Sequence, residues 1–145
     1  MLGNDRWHDN WRTLSSSEAT CVDVARSRAR RVAAKRIVRG LPSGAPVVLR
    51  ASAPAATARC RRFAAQTGLN VEREYLAFPS AGAPAYLVED APASVDAFVE
   101  RVLVTPPRMP FSSAVDVCLS ILRVIGPRLL IRAVAPGRVV VGRRV

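Results

Sequence analysis

Histidine, lysine and cysteine are scarce in this chain, and each scarcity removes a class of chemistry. The one histidine, His8, sits between Trp7 and Asp9 in a polar, turn-prone stretch, and no G-x-S-x-G accompanies it, so a Ser–His–Asp triad is not expected. Three cysteines, Cys21, Cys60 and Cys118, are scattered without a C-x-x-C, which argues against a disulfide framework or a zinc site and fits a reducing compartment. They read as small buried hydrophobes. No apolar stretch follows Met1, so no secretory signal is expected and the chain reads as cytoplasmic. The greasiest region, 111–134, is broken by Asp116, Arg123, Arg128 and Arg132, below the roughly 18 continuous apolar residues that spanning a bilayer requires. A helix pair lying peripheral to a membrane, apolar side down, stays open for it. No catalytic, cofactor-binding or metal-ligating residue is expected in this chain alone.

What remains is arginine. With Lys35 as the one lysine, 22 basic side chains face 11 acidic ones, for a net charge of +11 in 145 residues. The excess lies in residues 1–62, which carry 13 basic and 4 acidic side chains against 9 and 7 in 63–145. Such a field attracts polyanions, either nucleic acid or an anionic lipid surface. Codon bias in a GC-rich genome would write the same excess without a partner. Half the residues are hydrophobic, so the chain is globular, with length for one domain.

The strongest local signals run from Arg36 to Asp90. Pro46–Arg50 is a short apolar run entered through the turn Leu41-Pro42-Ser43-Gly44, which predicts a buried strand. Ser52 is placed to cap a helix, with Pro54 at its first position and Ala55–Thr67 as its body; Gly68 closes it where a left-handed residue is wanted. Val71–Phe78 alternates, and Pro79–Pro84 turns it back into 85–88, predicting an antiparallel hairpin.

Upstream, Ser15-Ser16-Ser17-Glu18 matches a capping box and predicts a helix over 18–39. Its apolar stripe is mostly alanine, and its other faces carry Arg26, Arg28, Arg30, Arg31, Lys35, Arg36 and Arg39, the candidate phosphate-contacting residues; a solvated face laying its arginine stems over the core edge is the alternative. Trp7 and Trp11 stand at helical spacing in an N-terminal tail, 1–14. Downstream, Val95, Phe98, Val99, Val102 and Leu103 mark an amphipathic helix over 93–104. A proline-rich connector follows, then a helical stretch over 113–134 and a last strand at 138–141.

The expected fold is therefore α/β or α+β in a single domain, 15–145. It comprises a basic helix at 18–39, a core unit at 46–90, a helical part at 91–134 and a last strand. A small mixed sheet with a C-terminal antiparallel hairpin is covered by about four helices.

The turn Leu41–Gly44, the strand Pro46–Arg50, the helix end Arg59–Gly68 and the hairpin Val71–Val88 together resemble the C-terminal portion of class I S-adenosylmethionine-dependent methyltransferases. In that family a fifth parallel strand and its helix are followed by an antiparallel sixth and seventh strand pair. The resemblance covers about a third of the chain. It implies a methyltransferase-like protein, but the family's Gly-rich cofactor turn has no counterpart, since no G-x-G occurs in the 45 residues before Pro46. The resemblance thus implies a truncated relative, or one piece of a split protein, inactive alone. It would take S-adenosylmethionine only when another protein chain or a missing N-terminal half completes it.

Overall fold

The computed structural model describes residues 18–102, 117, 131–132 and 135–145. Five strands and three helices are defined among them: β1 Thr20–Asp23, α1 Arg28–Gly40, β2 Pro46–Ser52, α2 Ala56–Thr67, β3 Leu69–Phe78, β4 Tyr86–Glu89, α3 Pro92–Arg101 and β5 Gly137–Arg144. The class is α+β, with one mixed and mostly antiparallel sheet in the order β1-β2-β5-β3-β4. Among the described residues three helices stand against the about four expected. The stretch 113–134 lies outside the described residues apart from Val117, Ile131 and Arg132, as do the tail 1–14 with His8 and the two tryptophans, and Cys118.

By contact the chain divides into two compact units, Met1–Leu87 with Ala135–Val145, and Val88–Val134. In the first, β2 is the organising strand. It pairs parallel with β1, from Thr20 opposite Val47 to Asp23 opposite Arg50, and antiparallel with β5, from Pro46 opposite Arg143 to Ser52 opposite Gly137. Flanked on both sides and covered on both faces, it reads as the unbroken apolar run that a buried strand needs. Val47, Leu49 and Ala51 face α1 and α2, packing with Val22, Val24 and Val140 against Ala34 and Val38 of α1 and Ala56, Cys60, Phe63 and Ala64 of α2. Val48 faces the other way, with Tyr75, Ala77, Val139 and Val141.

Two helix starts differ from expectation. No helix spans 18–39, because Thr20–Asp23 is extended: Val22 and Val24 both bury toward α1 and α2, and a four-residue parallel pairing with β2 outweighs the local capping signal at Ser15–Glu18. The helix begins only after Ser27, which supplies no side-chain cap. Ser52 likewise caps nothing. It is the last residue of β2, held extended by pairing with Gly137, so α2 starts later, after Ala55 in a left-handed conformation (φ 56°), and Pro54 precedes the helix. The far end is as expected, with Gly68 at φ 65° and Thr67 Oγ1 donating to the Phe63 carbonyl at 2.8 Å.

Besides the strand that follows its turn, β3 has a second neighbour. Beside β4, β3 lies against β5 from Leu69 opposite Arg144 to Ala77 opposite Gly137, with a bulge between Val71 and Arg73. Thus β5 enters between β2 and β3. Gly142 permits this, since a Cβ there would collide with the Asn70 carbonyl oxygen and come within 3.3 Å of Val71 Cα. Glu74 ties the same region to α2. Its carboxylate accepts from Arg61 at 2.9 and 3.1 Å and lies 3.6 Å from the Arg138 guanidinium, whose side chain is only 3% exposed.

In the second unit, α3 begins with Pro92 in its first turn, where a missing N–H leaves no bond unmade, and buries Val95, Phe98 and Val99 as their spacing predicts. It runs to Arg101, and residues 103–104 of the expected span lie outside the described residues. Arg132 pairs with the nearly buried Asp90 carboxylate and donates to the Asp90 carbonyl at 3.4 Å.

Candidate polyanion interface

The sequence of α1 decides which of its side chains can reach a ligand. Ala34 and Val38 fix its inward face, which leaves Arg28, Arg30, Arg36 and Arg39 exposed and Arg31 and Lys35 half-buried at its flanks. Residues 28, 31, 32 and 35 then form one stripe at i, i+3, i+4 and i+7. In α2 the same spacing recurs, with Arg59, Arg62, Phe63 and Gln66 at i, i+3, i+4 and i+7. The two stripes line one cleft of about 460 Å³, with Val32 and Phe63 as its apolar patch and five cations, Arg28, Arg31, Lys35, Arg59 and Arg62, around it. Among the described residues no carboxylate lines it. Five like charges gathered on one concavity raise the local potential and favour an anion there.

Some of these cations are oriented by the fold. Arg31 donates to the Ala25 carbonyl at 3.2 Å and to the Arg26 carbonyl, and Arg59 donates to the Ser52 carbonyl. Each guanidinium has five N–H donors, so one or two carbonyl bonds fix its position and leave others for a ligand. Arg28, Lys35 and Arg62 make no hydrogen bond or ion pair among the described residues.

The seven sequence-derived candidates therefore separate. Arg28, Arg31 and Lys35 line the cleft, whereas Arg26 and Arg30 line a second cavity. Arg36 lines neither, and Arg39 donates to the Gln66 carbonyl at 3.0 Å, so it braces α1 against α2. Arg26 likewise holds the Ala53 carbonyl. Arg59 and Arg62 went unread as site residues although their helix was recognised. The available signal was the repetition of one spacing, Arg-x-x-Arg-apolar, in two successive helices.

Thiol chemistry is not part of the site. Cys60 is fully buried, and burial pushes its thiol from 9.0 up to about 12 against the smaller opposing pull of Arg59 and Arg138, so it is neutral and unreactive at physiological pH. Its unfolded form ionises first, so its contribution to stability falls as pH rises from about 9 to about 12. Among the described residues no cluster of His, Cys, Asp or Glu could hold a metal ion, and no helix is long and apolar enough to cross a membrane. Comparison with known proteins finds no match, whether to a family model, a curated protein or a solved structure.

Proposed function

We propose that this chain is a non-enzymatic polyanion-binding module whose cleft between α1 and α2 holds a phosphate-bearing strand, with single-stranded nucleic acid as the occupant. The observation that carries the reading is the cleft itself, where two facing helix stripes contribute five cations and, among the described residues, no carboxylate. Its concavity favours a threaded chain over a planar headgroup surface, because cations on the walls of a groove reach a strand within it, whereas a lipid plane meets only the rims.

The test is binding of a labelled single-stranded oligonucleotide across a salt series. Log K against log salt should fall with a slope of about −3 to −4, from roughly 0.7 per phosphate for the five cations. The triple variant R28E/K35E/R62E, which removes cations that bond nothing else described, should lose about a hundredfold in affinity at low salt. Unchanged binding by that variant would end the proposal. Tighter binding of the native chain to anionic vesicles than to the oligonucleotide would overturn the choice of strand over surface.

A second reading is favoured by strand order. Two parallel strands are joined through a helix, β1-α1-β2; α2 follows, and then the antiparallel pair β3 and β5. This supports a methyltransferase-like half without catalysis of its own, its cofactor portion supplied by another chain. S-adenosylmethionine should then leave the melting temperature of the isolated chain unmoved and raise it only when the partner is added. Tight binding of the cofactor by this chain alone would refute the reading.

A further inference from the structure

A second cavity, of about 430 Å³, opens where β1 and β2 end and α1 and α2 begin. In a sheet whose parallel strands are followed by helices, the crevice beyond the carboxyl ends of the strands is where ligands gather, because loops leave space there and helix starts are electropositive. Four arginines line this one: Arg26, Arg30, Arg50 and Arg59. The one carboxylate in its wall among the described residues, Asp23, is already occupied, since Arg50 on the adjacent strand grips it through Nε at 3.0 Å and Nη2 at 3.1 Å. Asp23 therefore neutralises Arg50 and leaves the other three charges standing. Arg26 and Arg59 are held in place by the Ala53 and Ser52 carbonyls, yet the Arg59 Nε is buried with no hydrogen-bond partner. Arg30 bonds nothing among the described residues. Neither helix offers an acidic residue in its first turn or a side-chain cap to offset this charge.

We infer that this cavity is a binding site for a small phosphate monoester, with Arg30 and Arg59 gripping the phosphate group and Arg26 adding a third positive charge. A dianion with tetrahedral oxygens answers three uncompensated guanidinium forks better than a monocarboxylate, which brings one charge and two acceptors. The volume is in the range of small-molecule sites and leaves room for an organic moiety of sugar size beside the phosphate. The site stands apart from the proposed strand cleft in every lining residue except Arg59.

The experiment titrates the full chain by calorimetry with ribose 5-phosphate, inorganic phosphate and ribose. The sugar phosphate should bind, inorganic phosphate should compete with it, and ribose should do neither. Arg30→Ala removes an exposed side chain from a helix and installs a better helix former, so the fold, checked by circular dichroism, is retained; affinity for the sugar phosphate should drop about tenfold or more, the scale of one charge-assisted pair. Arg62→Ala, which alters only the strand cleft, should leave that affinity unchanged while weakening oligonucleotide binding. The inference is overturned if ribose binds as well as its phosphate, if neither phosphate binds at millimolar concentration, or if Arg62→Ala weakens the sugar phosphate as much as Arg30→Ala does.

Discussion

Replacing Glu74 with alanine lowers the unfolding free energy by roughly 1–3 kcal/mol, the range for leaving a buried polar group short of one of its partners. The cause is the loss of a nearby carboxylate from a buried guanidinium. Arg138 lies on the central strand β5 with 3% of its side chain exposed, and the Glu74 carboxylate 3.6 Å away is one of its partners. Arg61, the other cation on that carboxylate, is 64% exposed, so Arg61→Ala should cost no more than about 1 kcal/mol, as surface pairs do. The contrast makes the test specific. Urea denaturation of Glu74→Ala, Arg61→Ala and the double variant Glu74→Leu/Arg138→Leu separates the effects. The double variant places apolar side chains beside Leu76 and Val140 and should recover most of the loss, because no charge then remains to be compensated. A midpoint for Glu74→Ala no lower than that of Arg61→Ala would show that Arg138 is satisfied without it.

Phe63→Ala is expected to cost about 3–5 kcal/mol, as large-to-small changes at buried aromatics do. Phe63 is 2% exposed and belongs to the cluster that joins α2 to β2 and α1, so its removal leaves a void inside that cluster. Phe63→Leu keeps much of the volume and should cost less than about 1.5 kcal/mol. The residue also lines the strand cleft, yet carries none of its charge. Below its own melting transition, Phe63→Ala should therefore keep the salt slope of the native protein even where its midpoint in denaturant has fallen. A changed slope with an unchanged midpoint would reverse the roles assigned to packing and charge.

Legibility in the sequence followed the range of the interactions. The strand at 46–50, the left-handed stop at Gly68 and the buried face of α3 rest on neighbours within a few residues, and each was readable. The strand at 20–23 was not. Its local signals favour a helix, and what holds it extended is β2, more than twenty residues on. The last strand was visible as a run of valines around 139–141, but nothing local says that it enters between β2 and β3; only the ladder, with Gly142 cleared for the passing Asn70 carbonyl, shows why it fits there. The cleft divides the same way. The α1 cations were legible as a charge run, although the fold uses Arg26 and Arg39 as braces, while Arg59 and Arg62 acquire meaning only once α2 lies beside α1.

The position of β5 bears on how the polypeptide is made. Arg143 meets Glu72 from 71 residues further along the chain, and the strand that carries it is the wedge joining β2 to β3. During synthesis β1, β2 and β3 leave the ribosome with that slot vacant, and two strand edges stay unpaired until residues 137–144 arrive. A nascent chain stalled before that point presents a template for pairing with its neighbours, so a holdase that shields extended segments would act on this protein until β5 has emerged from the ribosome and paired.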